Sequence, residues 1–565
     1  MHNKVSILKD ARNIVMKDSS FVVNTDTSKQ NPLDRLINEV APNAILNAGG
    51  RADEVRCYPG TREEVIGNME RWMDGDGVRT SRMMWLSGPA GAGKSAICQT
   101  VAERCSRRGL HAANFFFFRG DGTRNNARPL AATLVYQLRS FYPALNEPLA
   151  DCLTATPLIC KGSIEDQFRH LISSPIQTVQ QSASIQRPII FIIDGLDECD
   201  DKRKQEQILV ALHALANADH SPFLVLVASR AEAHLVMSFN KIGSSAESIF
   251  LDDKYRPQDD IRRFVVAKFD EIKEHHHLAH TLTDNWPAES DINAITEKSS
   301  GQFIYAATVM RFIEYSSESP HLNVLAVRSM QPSASHNPFA QLDAVYSYIF
   351  SKTRDIRTVK MILGVHFMSQ VSKTNISFES TLHLAGYSRI EIQSLFSDLV
   401  AIIKVDHYWF MSFYHASLND YLRDKSRSKI YHVNSGDIAA ELSSVCLGNF
   451  YDSTSLNITC SLLYHAKDST STLSEPLLTA STRRFAERFG VVTHWNVLVC
   501  AIDRLYFATD KAMFKLMLQN WIRFAYIHNI DISKDIKWMS KSATRYYKWY
   551  RFIERVKLRL EPRTK

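Results

Sequence analysis

The sequence predicts an α/β fold on a parallel sheet, followed by a long helical region that carries one small β-hairpin. Three observations point there. Between Arg82 and Asp252, five short apolar runs alternate with amphipathic segments of helical period. The first run empties into a glycine-rich turn, GPAGAGKS, before a helix resumes. After Asp253 the strand-like runs stop, and they return only once, as a closely spaced pair around residues 401–416. Near-continuous apolar strands separated by helices belong to a sheet covered on both faces.

Taken in order, residues 1–50 are weakly patterned and are expected to be a poorly ordered lead-in with one helix near Leu33–Val40. In CYPGTREEVIGNMERWMDGDG, Thr61 and Glu64 stand at capping-box spacing, and Val65, Met69 and Trp72 recur at helical spacing. The strand candidates are MMWLS, ANFFFF, PIIFIID, FLVLVAS and SIFLD. RPQDDIRRFVVAKFDEI, DINAITEKS and GQFIYAATVMRFIEYS are expected helices, and SMQPSASHNPFA is a Ser/Pro-rich break. From Leu342 to Val433, helices precede the pair AIIKVDHYWFMSFYHA, with His407 near its turn; this order suggests a winged-helix-like module. Beyond Asn434 the chain reads as helical, without a 20–50-residue repeat. The expected divisions are 1–50, 51–252, 253–330, 340–433 and 434–565.

Composition sets outer bounds. At 565 residues the chain exceeds one core, and length alone gives roughly three to four domains. Apolar content of 45%, charged content of 22% and a net charge of +7 are ordinary for soluble globular protein and do not single out nucleic acid. The nine cysteines are scattered without C-x-x-C pairs, as expected of reduced, buried thiols. The first residues lack the apolar stretch of a signal peptide, and no run reaches the roughly 20 apolar residues of a membrane span. The cytoplasm is the expected location.

The chemistry concentrates at Gly88–Ser95, which satisfies G-x-x-x-x-G-K-[ST] between a strand and a helix. Gly88, Pro89, Ala90, Gly91, Ala92 and Gly93 form a loop whose bare backbone N–H groups can converge on phosphate oxygens. The helix that opens through Lys94, Ser95 and Ala96 adds its positive dipole end. Lys94 is expected to reach the β- and γ-phosphates, and Ser95 to offer a hydroxyl to Mg²⁺. A second run, PIIFIID, delivers Asp194 to a strand's carboxyl end as the Mg²⁺-associated acid. Glu198 just beyond it is expected to orient or deprotonate the attacking water. Asp197 is balanced between a role there and a solvated turn, while Asp200 and Asp201 read as a solvated helix cap. Arg230, at the end of FLVLVASR, is expected to sense the γ-phosphate or pair with an acid; a surface arginine at a strand end is the competing reading.

CYPGTREEV, GPAGAGKS, FIIDGLDE, VLVASR and GQFIYAATVMRFI, in this order, resemble the NACHT-domain NTPases of filamentous fungi, of the nephrocystin-3-like N-terminal type. These NLR-like proteins belong to the STAND class of signal-transduction ATPases, within the AAA+-like P-loop folds. NFFFFRGDGTRNNARPLAATLVYQL, with Arg119 and Arg124, is also similar to that group. The resemblance implies ATP/ADP and Mg²⁺ as ligands. It places Arg62 near the adenine, although Thr61 interrupts the family's Gly-Arg-Glu stretch. It also assigns His415 to the ADP β-phosphate, although Ala416 stands where the family usually has an acid. The lead-in is short for an effector and the last 130 or so residues show no repeat. A short family member, a truncated sequence, or a chain whose partner supplies the sensor are the alternatives.

Two further signals are weighed. EHHHLAH lacks a complementary acid or cysteine and reads as a helix terminus. The basic, aromatic tail KWMSKSATRYYKWYRFIERVKLRLEPRTK suits nucleic acid or an anionic membrane, and ranks behind an amphipathic helix packed on the body. The functional expectation is a slow ATPase acting as a nucleotide-driven signalling switch, with homo-oligomers or partner proteins reading its open state. The alternatives are an ADP-bound scaffold and a P-loop kinase or steadily turning-over ATPase.

Overall fold

A computed structural model describes residues 31–46, 56–75, 79–182, 185, 187–331, 339–371, 376–405, 411–449, 453–466, 473–478 and 501–527, with isolated positions between 544 and 556. Residues 1–30, the turn carrying His407 and most of the basic tail lie outside the described residues.

Each of the five apolar runs becomes a strand: β1 (Met83–Ser87), β2 (Ala112–Phe116), β3 (Ile189–Asp194), β4 (Phe223–Ser229) and β5 (Ala246–Phe250). They form one parallel sheet in the order β2-β3-β4-β1-β5. The runs are continuously apolar because alternate side chains enter different cores. Trp85, Phe115, Phe191, Ile193 and Val225 face one core, while Met84, Leu86, Ile190, Ile192 and Leu224 face the other. β5 lies two residues earlier than SIFLD suggested. Leu251 bonds through its N–H to the Ser87 carbonyl and Asp252 caps the next turn, so the chain bends away there.

Register brings the chemistry to one edge. Ser87 pairs with Ser229, and Phe116 with Asp194. The loops after β1, β2, β3 and β4 therefore emerge together at the carboxyl side, where ligands of open α/β sheets bind.

Two expectations are corrected. Residues 31–46 of the lead-in are docked. The short helix Pro32–Ile37 buries Leu33 and Leu36, the Ala41 N–H donates to Thr133 Oγ1 at 3.0 Å, and the Leu46 N–H donates to Asn114 Oδ1 at 2.7 Å. Thr61 is not a helix cap. Its hydroxyl donates to the Tyr58 carbonyl, and helix Glu63–Asp74 begins from Arg62 in the left-handed region, with no side-chain cap. The turn geometry at Tyr58–Arg62 thus outcompetes the capping box.

After Asp253 the chain forms helices Pro257–His275, Glu289–Ser299, Phe303–Tyr315 and Pro320–Ser329, then Ala340–Ser351 and Ile356–Ser369. The expected hairpin follows as antiparallel β6 (Ile403–Val405) and β7 (Met411–Phe413), and helix Ala416–Arg423 continues directly from it. Helices Ser435–Asn449, Ser453–His465 and Lys511–Ile527 come next. Buried apolar side chains from Ile261 to Leu518 form one contiguous cluster. Among the described residues no helix is long and apolar enough to cross a membrane. Within EHHHLAH, His276 is buried and spends its nitrogens on the Leu278 N–H and the Ser316 carbonyl.

Candidate functional site

The loop after β1 reverses direction through three glycines with positive φ, two of which bear directly on the site. Gly91 (φ +78°) lies against helix Phe303–Tyr315, and a Cβ there would meet Ile304 Cγ2 at 2.3 Å. Gly93 (φ +94°) precedes helix Lys94–Arg107, and a Cβ there would enter open space. Only glycine adopts these angles freely, and the open side at Gly93 leaves bare backbone against a cavity. Lys94 Nζ donates to the carbonyls of Gly88 and Pro89, both at 2.8 Å. Burial pulls its pKa down, against the opposing pull of Asp197.

A cavity of about 290 Å³ opens beside this loop. Arg62, Ala90, Gly91, Gly93, Lys94, Ser95, Ala96, Asp194, Glu198, Arg230 and His415 all line it. Gly88, Pro89 and Ala92 instead line a second hollow behind the loop. Helix Lys94–Arg107 points its N-terminus, with exposed Ser95, at the first cavity. A hard divalent cation suits the oxygen donors at hand, the Ser95 hydroxyl and the Asp194 carboxylate. The thiol of Cys98, one turn into the same helix, hydrogen-bonds Asp194; burial and that carboxylate keep it protonated, far above the usual thiol range. A thiol kept protonated there can donate to the acid.

Asp197 is 4% exposed and is not a solvated turn. Its Oδ1 accepts from the Arg230 N–H at 2.9 Å, and its Oδ2 faces Arg230 Nε at 3.2 Å. Burial works against the Arg230 charge, but Asp197 and Asp420 more than offset it and raise its pKa. Arg230 is thus paired with acids and is not a lone surface arginine at a strand end. Asp201 caps helix Lys202–Asn217 in solvent, as its pattern indicated.

Glu198 accepts from the Arg119 N–H at 2.9 Å through Oε2. Burial first, and Asp197 second, push its pKa up to about 7. A carboxyl poised there can accept a proton near neutral pH.

His415 sits on the opposite wall, as the N-cap of helix Ala416–Arg423. Its Nδ1 accepts from the Ser417 N–H at 3.1 Å. Burial, with Arg230 and Lys94 nearby, lowers its pKa to about 4. The ring is thus neutral at physiological pH, and with Nδ1 accepting, its proton belongs on Nε2, a donor suited to an anion.

Arg62 holds the loop from behind. Its Nη2 donates to the Ala92 carbonyl at 2.9 Å, and its guanidinium lies over Phe303 at 5.0 Å. Tyr58, Phe264 and Phe303 make the neighbouring end of the cavity aromatic.

Three residues in or beside the site escaped sequence reading. Asp420 binds both Arg230 and Arg119. Arg311, from GQFIYAATVMRFI, stacks 3.8 Å over Tyr414 and lines the cavity. Cys98 looked like any core cysteine. Only Arg311 carried a signal, the one cation on a largely apolar helix, Phe303–Tyr315.

Residues 60–230 match the family model described as Nephrocystin 3, N-terminal. No curated protein matches the chain. Among solved structures, a Walker-type ATPase of Pyrococcus abyssi is similar at a TM-score of 0.33, with 14% identity over 66% of this chain and 99% of its own. A Drosophila ORC structure, bound to DNA, is similar at 0.29, with 12% identity over 71% of this chain and 92% of its own.

Proposed function

We propose that this chain, whose residues 60–230 are a P-loop NTPase domain of the NACHT/STAND type, works as a nucleotide-driven switch with slow hydrolysis. The observation that carries this reading is the shared cavity: the phosphate loop and His415, from elements far apart in sequence, line the same space. A ligand held there touches both regions, so its chemistry can bias their relative seating.

ATP is bound with its phosphates on the Gly91–Ser95 backbone and Lys94, and its base toward the aromatic end near Tyr58 and Arg62. Mg²⁺, when bound, neutralises phosphate charge and would be held by Ser95 and Asp194. Glu198 takes the proton of the attacking water, with its carboxyl held by the Arg119 N–H. His415 donates to the β-phosphate of ADP and favours the closed seating. A terminal phosphate instead engages Arg230. The two nucleotides thus make different contacts, which a switch requires, because equal affinity for both conformations would shift nothing.

The units of movement are residues 51–252, the helical segment 253–330, a winged-helix-like module over 340–433 and the helical region 434–565. What supports the winged-helix reading is the order of helices, hairpin and helix at 340–423. Identical copies or partner proteins read the open state.

The full-length protein, purified and assayed for bound nucleotide, turnover and mass with ADP and with ATP, tests this. The switch predicts co-purified nucleotide, slow turnover and a different mass distribution with ATP. Equal size in both nucleotides contradicts it: fast turnover with equal size makes the chain an ordinary ATPase, and permanently bound ADP with no turnover makes it a scaffold.

A further inference from the structure

One carboxylate joins the sheet to the hairpin module at the edge of the cavity. Asp420 Oδ1 accepts from Arg119 Nη1 at 3.3 Å, and its Oδ2 faces Arg230 Nη2 at 3.4 Å. Each arginine is anchored at the same time to the acidic turn after β3. Arg230 binds Asp197, and Arg119 donates from Nη2 to the Asp197 carbonyl at 3.1 Å and from its N–H to Glu198. Asp420 lies on helix Ala416–Arg423, whose N-cap is His415. One short helix therefore brings both a phosphate donor and an anion to the same edge.

The geometry points to Asp420 as an internal competitor of the terminal phosphate. In the present conformation it shares Arg230, a cavity-lining cation, with Asp197: Asp197 faces Nε and Asp420 faces Nη2. A γ-phosphate is the stronger anion, with more charge and three oxygens, and takes over guanidinium bonds that a single carboxylate holds. When Arg230 turns inward, Asp420 loses one partner and helix Ala416–Arg423 loses a tie to the sheet. Asp420 is 25% exposed and Arg119 40% exposed, so the latch is screened by salt and weak enough to be released. The same junction has an uncharged tie, the Gly122 N–H donating to Gln370 Oε1 at 2.8 Å, which keeps the modules in register while the latch exchanges. This inference rests on the nucleotide reading above and adds a device to it. Release is sensed by an acid on the module, beyond the histidine contact.

The test uses full-length wild type, Asp420→Asn and Asp420→Glu, with amide hydrogen exchange over 117–126 and 416–423. Measurements are made without nucleotide and with a non-hydrolysable ATP analogue. Without nucleotide, Asp420→Asn should speed exchange in both segments by roughly five- to tenfold, and Asp420→Glu should stay near wild type. The analogue should raise exchange in wild type toward the Asp420→Asn level and add little to the variant. Two results overturn the latch: unchanged exchange in nucleotide-free Asp420→Asn, or an analogue effect of equal size in wild type and variant. A wild type that binds no nucleotide overturns the reading beneath it and the proposed competition with it. The nucleotide-free comparison separates that failure from absence of the tie.

Discussion

The loop side of the cavity comes from one contiguous stretch, Ala90–Ser95 without Ala92, through its backbone and a single ammonium group. The wall facing it comes from β7, His415 and Arg311, with Asp420 tied to Arg230 at its edge, side chains assembled by tertiary packing. In the proposed switch, the contiguous loop sets affinity in any orientation of the later modules, and the assembled wall, present only while they are seated, sets which nucleotide is preferred. Damage to the first should abolish binding or turnover, whereas damage to the second should redistribute states.

The largest effect is expected from Glu198→Gln. Turnover should fall by roughly 10²–10⁴-fold while nucleotide affinity stays near wild type, measured by phosphate release and calorimetry. Because the Glu198 pKa is raised to about 7, the wild-type rate should climb as pH rises through that value and the base ionises. The variant should lack this limb, and a limb that persists assigns it to another group.

Lys94→Ala should weaken ATP and ADP alike, by roughly 100-fold, since it removes charge-assisted bonds common to both. Selective loss of one nucleotide would break the comparison between the two sides.

Gly91→Ala strikes where the sides touch. Its Cβ would collide with Ile304 at a backbone angle unsuited to alanine, so thermal unfolding should show a loss of about 2 kcal/mol. Unchanged stability would mean that the loop and helix Phe303–Tyr315 separate freely.

His415→Ala should shift preference most gently, weakening ADP by roughly fivefold and leaving ATP nearly unchanged in competition titrations. The ring also leaves a pH signature. Its folded pKa of about 4 lies below the ordinary 6.5, so between these values the unfolded chain binds more protons. Stability contributed by this group is present above about pH 6.5 and is lost as pH falls toward 4. The variant should flatten that slope in denaturant titrations.

How much could be read in advance follows the same division. β1, β4 and the phosphate loop were legible because their residue types act locally: apolar runs make covered strands, and glycines followed by Lys-Ser make a phosphate turn. Asp194 was legible because a strand's end is fixed by the strand. Asp197 was not, since a short acidic turn looks alike whether solvated or paired, and its partner Arg230 arrives from the next strand through sheet order. Thr61 misled because capping spacing is a weak local preference that the bend at Tyr58–Arg62 overrides. Asp420 was illegible because its contacts depend on helix Ala416–Arg423 meeting arginines 301 and 190 residues earlier in the chain.

Small-angle scattering of full-length Glu198→Gln, saturated first with ADP and then with ATP, addresses the nucleotide dependence directly, because the variant holds ATP without consuming it. A larger radius of gyration with ATP, reversed on exchange back to ADP, is the predicted result. Superimposable profiles at confirmed full occupancy of both nucleotides would contradict it.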